Sequence, residues 1–418
     1  MKTNGNGKFE NYKTVSETLS NGLRIIHLPF PSEISYCGIA VNTGARDECE
    51  EEHGMAHFIE HLLFKGTKKR RAHHIISRME NVGGELNAYT TKEETFIYAT
   101  FLNEYHERAM ELIGDVVFHS TFPANQIHKE REVILDEINS YIDAPSELIY
   151  DDFENMMFQG HEIGHYILGN PHTLERFDES GVKKFYQRQY HPENMILFSF
   201  GRIPFTKVMK LTEKYFGEKL SSDVFPKKRV KPIGISPQKV TMDKDTAQTH
   251  TILGGVAYDM FHPDRFTLSL LNNIIGGGVI NSRLNNSLRE KNGLVYHVES
   301  ILTSYTDTGL LSIYFACDDK NVGRCLKLID KELLKIRETA LTPAQLATAK
   351  RQYKGQMGIA FEYNETVALR MAKSFLHHGR YFALDEVFAR LDAITSDDIL
   401  RVAGEVLDPD KFSKLSYK

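Results

Sequence analysis

The sequence predicts an α+β protein built from two related domains, and three observations carry that prediction. The chain has 418 residues, which at about 100–200 residues per domain makes two or three domains. Its composition shifts over residues 221–240, where Ser, Asp, Pro and Lys cluster in the manner of an interdomain linker. The two sides of that linker also repeat one another. Tyr89-Thr90 matches Tyr305-Thr306, Ile97-Tyr98 matches Ile313-Tyr314, and Leu112-Ile113 matches Leu328-Ile329, each pair 216 positions apart. Pro123-Ala124 then matches Pro343-Ala344 at an offset of 220. The expected domains are residues 1–225 and 226–418.

Within the first half, residues 36–41 and 95–101 alternate as strands do. Residues 54–64, 71–81, 103–118 and 125–143 carry helical periodicity. Each half therefore reads strand, helix, helix, strand, strand, helix, helix. Neighbouring strands with helices grouped between them favour a mostly antiparallel or mixed sheet covered by helices on one face.

Composition excludes several classes. With 41% hydrophobic and 26% charged residues, each domain can bury a core without disulfides or structural metal. A formal net charge of -5 offers no basic face for phosphate backbones, so nucleic acid is not an expected partner. No stretch approaches the ~18–20 apolar residues of a membrane span. Residues 1–12 are polar and lack the apolar run of a secretory signal, which predicts a cytoplasmic protein without a membrane partner. Cys37, Cys49, Cys317 and Cys325 form no CxxC pair and are expected as free, mostly buried thiols.

Of the 18 histidines, two stretches have metal-ligand spacing. His57-Phe58-Ile59-Glu60-His61 is an HxxEH arrangement, and His161-Glu162-Ile163-Gly164-His165 a formal HExxH. On a helix, His57 and His61 stand one turn apart on one face, with Glu60 beside them. No Gly or Pro interrupts residues 57–65, and Gly66 suits a helix stop. The second stretch has Gly160 before it, Gly164 inside it and Gly169-Asn170-Pro171 after it, so it reads as a loop. A zincin site using His161, Glu162 and His165, with Glu175 or Glu179 as third ligand, is the enzymatic alternative.

A catalytic zinc takes three protein ligands and leaves one position open. His53 is one candidate for the third, although its acidic neighbours and Gly54 place it at a helix start. Others lie on the 126–142 helix, where Ile127, Ile134, Ile138 and Tyr141 form the apolar stripe. Glu132 and Asp136 point outward, while Glu130 and Glu137 share one edge of the stripe. Both glutamates remain open on this argument, as does their simple pairing with Lys129 or Arg131. The repeat adds a test: in the second half, Lys350 stands at the place of Glu130 and Met357 at that of Glu137, and the HxxEH helix falls on residues 269–273. Only the first half carries the set, as expected of an active site rather than of a folding requirement.

These residues resemble the inverted-zincin metallopeptidases of the insulinase and mitochondrial processing peptidase type. The resemblance runs from residues 18–23 through 54–67, 83–90, 130–133 and 190–195, and in the second half through Gly276-Gly277-Gly278 and 288–296, nearly the whole chain. It implies zinc bound by the two histidines and by a glutamate 76 positions after the second, which is Glu137. Glu130 then matches a glutamate that orients the site. Glu60 would take the proton of the attacking water and pass it to the leaving amine. The family's second-domain Arg and Tyr correspond to Arg289 and Tyr296, with Tyr296 stabilising the oxyanion and Arg289 holding a substrate carbonyl. Asn87 and Ala88 lie in the family's edge strand, which pairs with an extended peptide substrate, so unfolded or short peptides are the expected substrates. The Gly276 region is shorter than the glycine loop of the non-catalytic processing-peptidase subunit.

Members of about 400 residues resemble half of the clamshell formed by longer, fused members. A homodimer is the expected assembly, with a heterodimer of related subunits as the alternative. A non-catalytic scaffold subunit of the same fold is the other functional class.

Overall fold

A computed structural model describes residues 13–218 and 228–418. The 1–12 segment, the 225/226 boundary and part of the 221–240 linker lie outside the described residues. The chain divides into two compact units: residues 1–138, 165–229 and 361–384, and residues 139–164, 230–360 and 385–418. Two segments thus belong to a unit other than the one their place in the sequence suggests, so a single cut near 225 does not describe the units.

The first unit holds β1 (Val15–Thr18), β2 (Arg24–Pro29), β3 (Ile34–Val41), β4 (Glu85–Thr90), β5 (Thr95–Leu102) and β6 (Met195–Gly201). They form one sheet in the order β1-β2-β6-β3-β5-β4, antiparallel except for the parallel pair β2 and β6. The second unit holds β7 (Lys239–Met242), β8 (Thr249–Ala257), β9 (Val298–Ser304), β10 (Gly309–Cys317) and β11 (Ser413–Tyr417), ordered β7-β11-β8-β10-β9. Its one parallel pair is β7 with β11. Apart from β1 the two sheets have the same order, so the repeat in the sequence is a repeat of topology.

The four helices read from periodicity are α1 (Met55–Leu63), α2 (Ala72–Glu80), α3 (His106–His119) and α4 (Ala124–Ile142). After α4 comes α5 (Pro145–Met157). The expectation of helices on one face only is corrected. On one face of the first sheet, Cys37, Ile39, Val41, Ile97 and Ala99 share a core with α1 and α3. On the other, Ala40, Phe96, Tyr98 and Phe198 pack against Val367, Met371 and Phe375 of the Asn364–His378 helix. The second sheet is likewise met by α5, whose Ile149 and Phe153 pack with Ile252, Tyr314 and Leu415. Burial on both faces explains why β3 is almost continuously buried rather than alternating.

Cys37, Cys317 and Cys325 are buried free thiols and Cys49 is exposed. Among the described residues no helix is long and apolar enough to cross a membrane.

Candidate metal centre

Helix α1 carries the HxxEH residues, and its packing fixes where they point. Met55, Ala56, Phe58, Ile59, Leu62 and Leu63 are buried in the first unit's core, leaving Glu60 and His61 half-buried along one edge. The helix starts from Gly54 at φ 97°, where a Cβ would lie 2.8 Å from the Leu168 carbonyl oxygen. Only glycine suits that conformation and that approach.

A buried carboxylate caps this helix from a distance. Glu48 Oε2 accepts the Gly54 N–H at 2.9 Å and Oε1 accepts the Ala56 N–H at 2.8 Å. Two orphan donors of the first turn are thereby satisfied, and the negative charge faces the positive end of the helix. Burial pushes the Glu48 pKa up, against the two amide donors, which favour the carboxylate. The loop holding Glu48 is itself braced by buried ion pairs. Arg46 Nη1 lies 2.6 Å from Glu93, and Arg229 Nη2 lies 2.7 Å from Asp47 while donating to the Glu93 carbonyl at 2.8 Å.

Helix α4 brings the second ligand-bearing surface. Arg131 anchors it by donating to the carbonyls of Leu174 at 3.0 Å and Phe177 at 2.8 Å. Arg131 is therefore engaged with backbone and not with Glu130. Glu132 and Asp136 are exposed, and Ile127, Ile134 and Ile138 are buried, as the stripe predicts. Glu130 is buried, with Oε1 2.8 Å from Lys65 Nζ and Oε2 3.3 Å from His61 Nδ1. Glu137 stands one edge further along, with Oε2 3.8 Å from both His57 Nε2 and His61 Nε2.

One ligand atom from each of His57, His61 and Glu137 lies within 4.8 Å of the others, and no further such group of three occurs among the described residues. Donors on a tetrahedral zinc at about 2.1 Å stand about 3.4 Å apart, so small side-chain movements would close this set on an ion. Two imidazoles and one carboxylate are also the donor types zinc takes. Burial, and then the charge of His61, push the His57 pKa down to about 3, which leaves the ring neutral and its lone pair available at neutral pH.

Glu60 lies beside the set and is not part of it. Its Oε2 accepts a hydrogen bond from Thr90 Oγ1 at 2.6 Å. Burial raises its pKa, with the Thr90 bond acting in the opposite direction. A carboxylate poised above its ordinary pKa is suited to taking and returning a proton.

Asn87 and Ala88 are on β4, which pairs with β5 on one side and ends the sheet on the other. Both line a cleft of about 490 Å³ together with Glu60 and His61. Arg289 and Tyr296 belong to the second unit. Arg289 lies in the π-helical turn Asn285–Glu290, half exposed, with Nε 3.7 Å from Glu290 Oε1. Tyr296 is 85% exposed just before β9.

The HExxH stretch is a 3₁₀ turn over Glu162–Gly164, with no helix to align its histidines. His161 Nε2 hydrogen-bonds the Val230 carbonyl at 2.9 Å, and the His165 ring packs on that of His53 at 3.6 Å. His53 thus faces His165 and is not in the His57, His61 and Glu137 group. Sequence reasoning missed Glu48, Thr90 and Lys65. The signal available for Glu48 was Arg46-Asp47-Glu48, a charged run in the segment between the apolar strand β3 and the HxxEH helix.

Comparison with known proteins agrees with this architecture. The family described as "Insulinase (Peptidase family M16)" matches residues 27–171, and that described as "Peptidase M16 inactive domain" matches residues 177–353. A Bacillus subtilis protein named "uncharacterized zinc protease YmxG" is 31% identical, covering 94% of this chain and 95% of its own length. An "uncharacterized zinc protease" of Mycobacterium leprae is 32% identical over 94% of this chain and 88% of its own. The crystal structure of a protease from Helicobacter pylori shares the fold with a TM-score of 0.92 at 23% identity, covering 97% of this chain and 99% of that one. With near-complete coverage above 30% identity, the chain belongs to the insulinase family of peptidases, family M16.

Proposed function

We propose that this protein is a zinc-dependent endopeptidase of the inverted-zincin type, binding one ion per chain through His57, His61 and Glu137. The observation that carries the reading is the convergence of those three ligand atoms within 4.8 Å beside a half-buried Glu60. The relatives named zinc proteases support it. So does the second half of the repeat, where Lys350 and Met357 replace the glutamates.

Zinc, when bound, supplies Lewis acidity toward a water and a carbonyl oxygen. Glu60 accepts the proton of the attacking water and returns it to the leaving amine, with Thr90 holding the carboxylate in place. Glu130 orients His61. Edge strand β4, with Asn87 and Ala88, pairs with the main chain of an extended peptide, which favours unfolded or short substrates. Tyr296 donates to the oxyanion and Arg289 to a substrate carbonyl, roles that rest on the family pattern. The protein works as a homodimer whose second copy completes the chamber; a monomeric mass in solution with full activity would refute that part.

The test is hydrolysis of an internally quenched, unstructured peptide by the wild type, Glu60→Gln and Glu162→Gln, with zinc content measured for each. Glu60→Gln is expected to lose about 10²–10⁴-fold in rate while retaining zinc, and Glu162→Gln to behave as the wild type. A dead Glu162→Gln beside an active Glu60→Gln would overturn the site. A zinc-loaded wild type that cleaves nothing would favour the scaffold reading.

A further inference from the structure

A second interhelical cleft lies wholly within the second unit. It opens between the Arg265–Gly276 helix and the Pro343–Ala360 helix, has a volume of about 380 Å³ and takes its apolar wall from Ile274 and Leu341. At that size it suits a small organic ligand. In the repeat, the HxxEH helix falls on residues 269–273, so Asn273 stands where His61 stands in the first unit. Lys350, at the place of Glu130, is engaged by the carbonyls of Asp392 and Ile394 and takes no part in the lining. The seat that brings metal donors together in one unit therefore carries other chemistry in its counterpart.

That chemistry is donor-rich. Arg283 is the one cation in the lining, and no Asp or Glu is among the described residues that form it. The Arg283 guanidinium is half-buried and makes no hydrogen bond or ion pair among the described residues. Burial lowers its pKa, and the charge of Glu332 offsets only part of that. Glu332 is itself held 2.6 Å from Lys335 Nζ. Asn273 is 5% exposed, and its side-chain amide likewise has no hydrogen-bond partner among the described residues. A buried amide costs free energy unless something pairs with it.

The other polar groups of the lining are turned to donate. The Thr342 N–H engages Gln345 Oε1 at 2.9 Å and Gln352 Nε2 engages Asn281 Oδ1 at 2.8 Å, which leaves both amides their NH₂ groups. Buried Ser282 accepts from Asn285 Nδ2 at 3.0 Å, which leaves its hydroxyl hydrogen for an acceptor. Ala344, in the first turn of the Pro343–Ala360 helix, adds a backbone N–H at the positive end of the helix dipole.

We propose that this cleft binds a carboxylate attached to an apolar body, either a small carboxylic acid or the C-terminal residue of a peptide, with Arg283 and Asn273 as the recognising residues. One guanidinium balances one negative charge, and its fork matches the two oxygens of a carboxylate. The amide and hydroxyl donors satisfy the lone pairs that the guanidinium leaves, and Ile274 and Leu341 cover the apolar part. A phosphate dianion would leave a charge unmatched in this lining. The site needs neither the metal nor Glu60, so it stands apart from the peptidase reading.

The test is calorimetric titration with N-acetyl-leucine, N-acetyl-leucinamide, inorganic phosphate, and a leucine-ending pentapeptide with its C-terminus free or amidated. The full, zinc-loaded chain carries Glu60→Gln, which spares the peptides, and each titration is repeated after chelation, which removes any carboxylate bound to the ion. N-acetyl-leucine is expected to bind with or without zinc, about tenfold or more tighter than its amide, as one charge-assisted hydrogen bond contributes. Arg283→Gln should weaken it by about the same factor, and Arg283→Lys by less. Gln345→Glu, on an exposed residue that still accepts from the Thr342 N–H, should also weaken it at an unchanged melting temperature, by setting a carboxylate at the site. Tighter binding of the free-acid peptide than of N-acetyl-leucine would support a peptide end as the ligand, and the reverse a small acid. No binding of either acid, equal binding of acid and amide, binding lost on chelation, phosphate bound more tightly than N-acetyl-leucine, or unchanged affinity in folded Arg283→Gln would overturn the assignment.

Discussion

Glu130 Oε2 lies 3.3 Å from Nδ1 of His61, while its other oxygen lies 2.8 Å from Nζ of Lys65. The imidazole Nδ1–H donates to that carboxylate, which places the Nε2 lone pair on the opposite side of the ring, 3.8 Å from Glu137. Tautomer and ring orientation are thus set before any ion arrives, and Lys65 offsets the cost of burying the carboxylate.

Removing that support weakens metal binding without removing a ligand. Glu130→Ala is expected to lower zinc affinity by about 10–100-fold, and Glu130→Gln by less, because the amide oxygen still accepts from Nδ1–H. Competition with a chromogenic chelator measures both. Unchanged affinity in Glu130→Ala would show that His61 needs no such orientation.

Zinc itself should stabilise the first unit. Ligand at about 1,000-fold above its Kd contributes about 4 kcal/mol, so chelation should lower the melting temperature and added zinc restore it. Glu137→Gln should abolish most of this response and Glu162→Gln none of it. Calorimetry with and without zinc distinguishes the two.

Glu48 stabilises α1 through two backbone donors. Glu48→Ala leaves the Gly54 and Ala56 N–H groups without their acceptor at a buried helix start, at about 1–3 kcal/mol for each group left unpaired. Urea unfolding should show that loss, and zinc affinity should fall with it because the same helix carries His57 and His61. Glu48→Gln, which keeps one carbonyl oxygen, should lie between.

Acid should destabilise the protein in two steps. Ser199 Oγ lies 3.0 Å from His27 Nδ1 and 3.1 Å from His106 Nε2, all buried. Burial pushes His27 down to about 4, and burial with the neighbouring His27 pushes His106 down to about 3, from 6.5. Folded rings stay neutral where unfolded ones bind protons, so this stability is full above pH 6.5 and lost as pH falls toward those values. At pH 5.5 the loss is about 1.4 kcal/mol per histidine. Burial raises the Glu94 pKa, but the His377 hydrogen bond and the Lys373 charge outweigh it and hold the group down to about 2 from 4.5. A second loss therefore begins below pH 4.5. Urea midpoints of metal-free protein at pH 7, 5.5 and 4 test this, with His106→Gln expected to flatten the first step; a profile flat from 6.5 to 5 would refute it.

Much of the fold was legible because it is local. The 3.6-residue period of 54–64 and 125–143 appears as α1 and α4, and the alternation of 95–101 as β5, since helices and hairpin strands write their buried face into neighbouring positions. The parallel pairing of β2 with β6 was not legible, because it joins residues 24–29 to 195–201 and leaves no trace in either segment alone. Nor was the coverage of both sheet faces, which depends on residues 361–384 and 139–164 joining units distant in sequence.

By itself, the sequence determined that His57, Glu60 and His61 share one helical face, that Glu130 and Glu137 share one edge of another helix, and that only one half of the repeat carries them. Helical geometry makes those relations independent of the rest of the chain. Only the tertiary structure decided how the two glutamates divide their work, because seven residues place them at equal phase and the docking of α4 against α1 sets which one each imidazole nitrogen meets. It put Glu137 opposite both Nε2 atoms and Glu130 against Nδ1. It also brought in Glu48 and Thr90, whose partners lie eight and thirty positions away at most, since caps and hydrogen bonds made through space carry no period in the sequence.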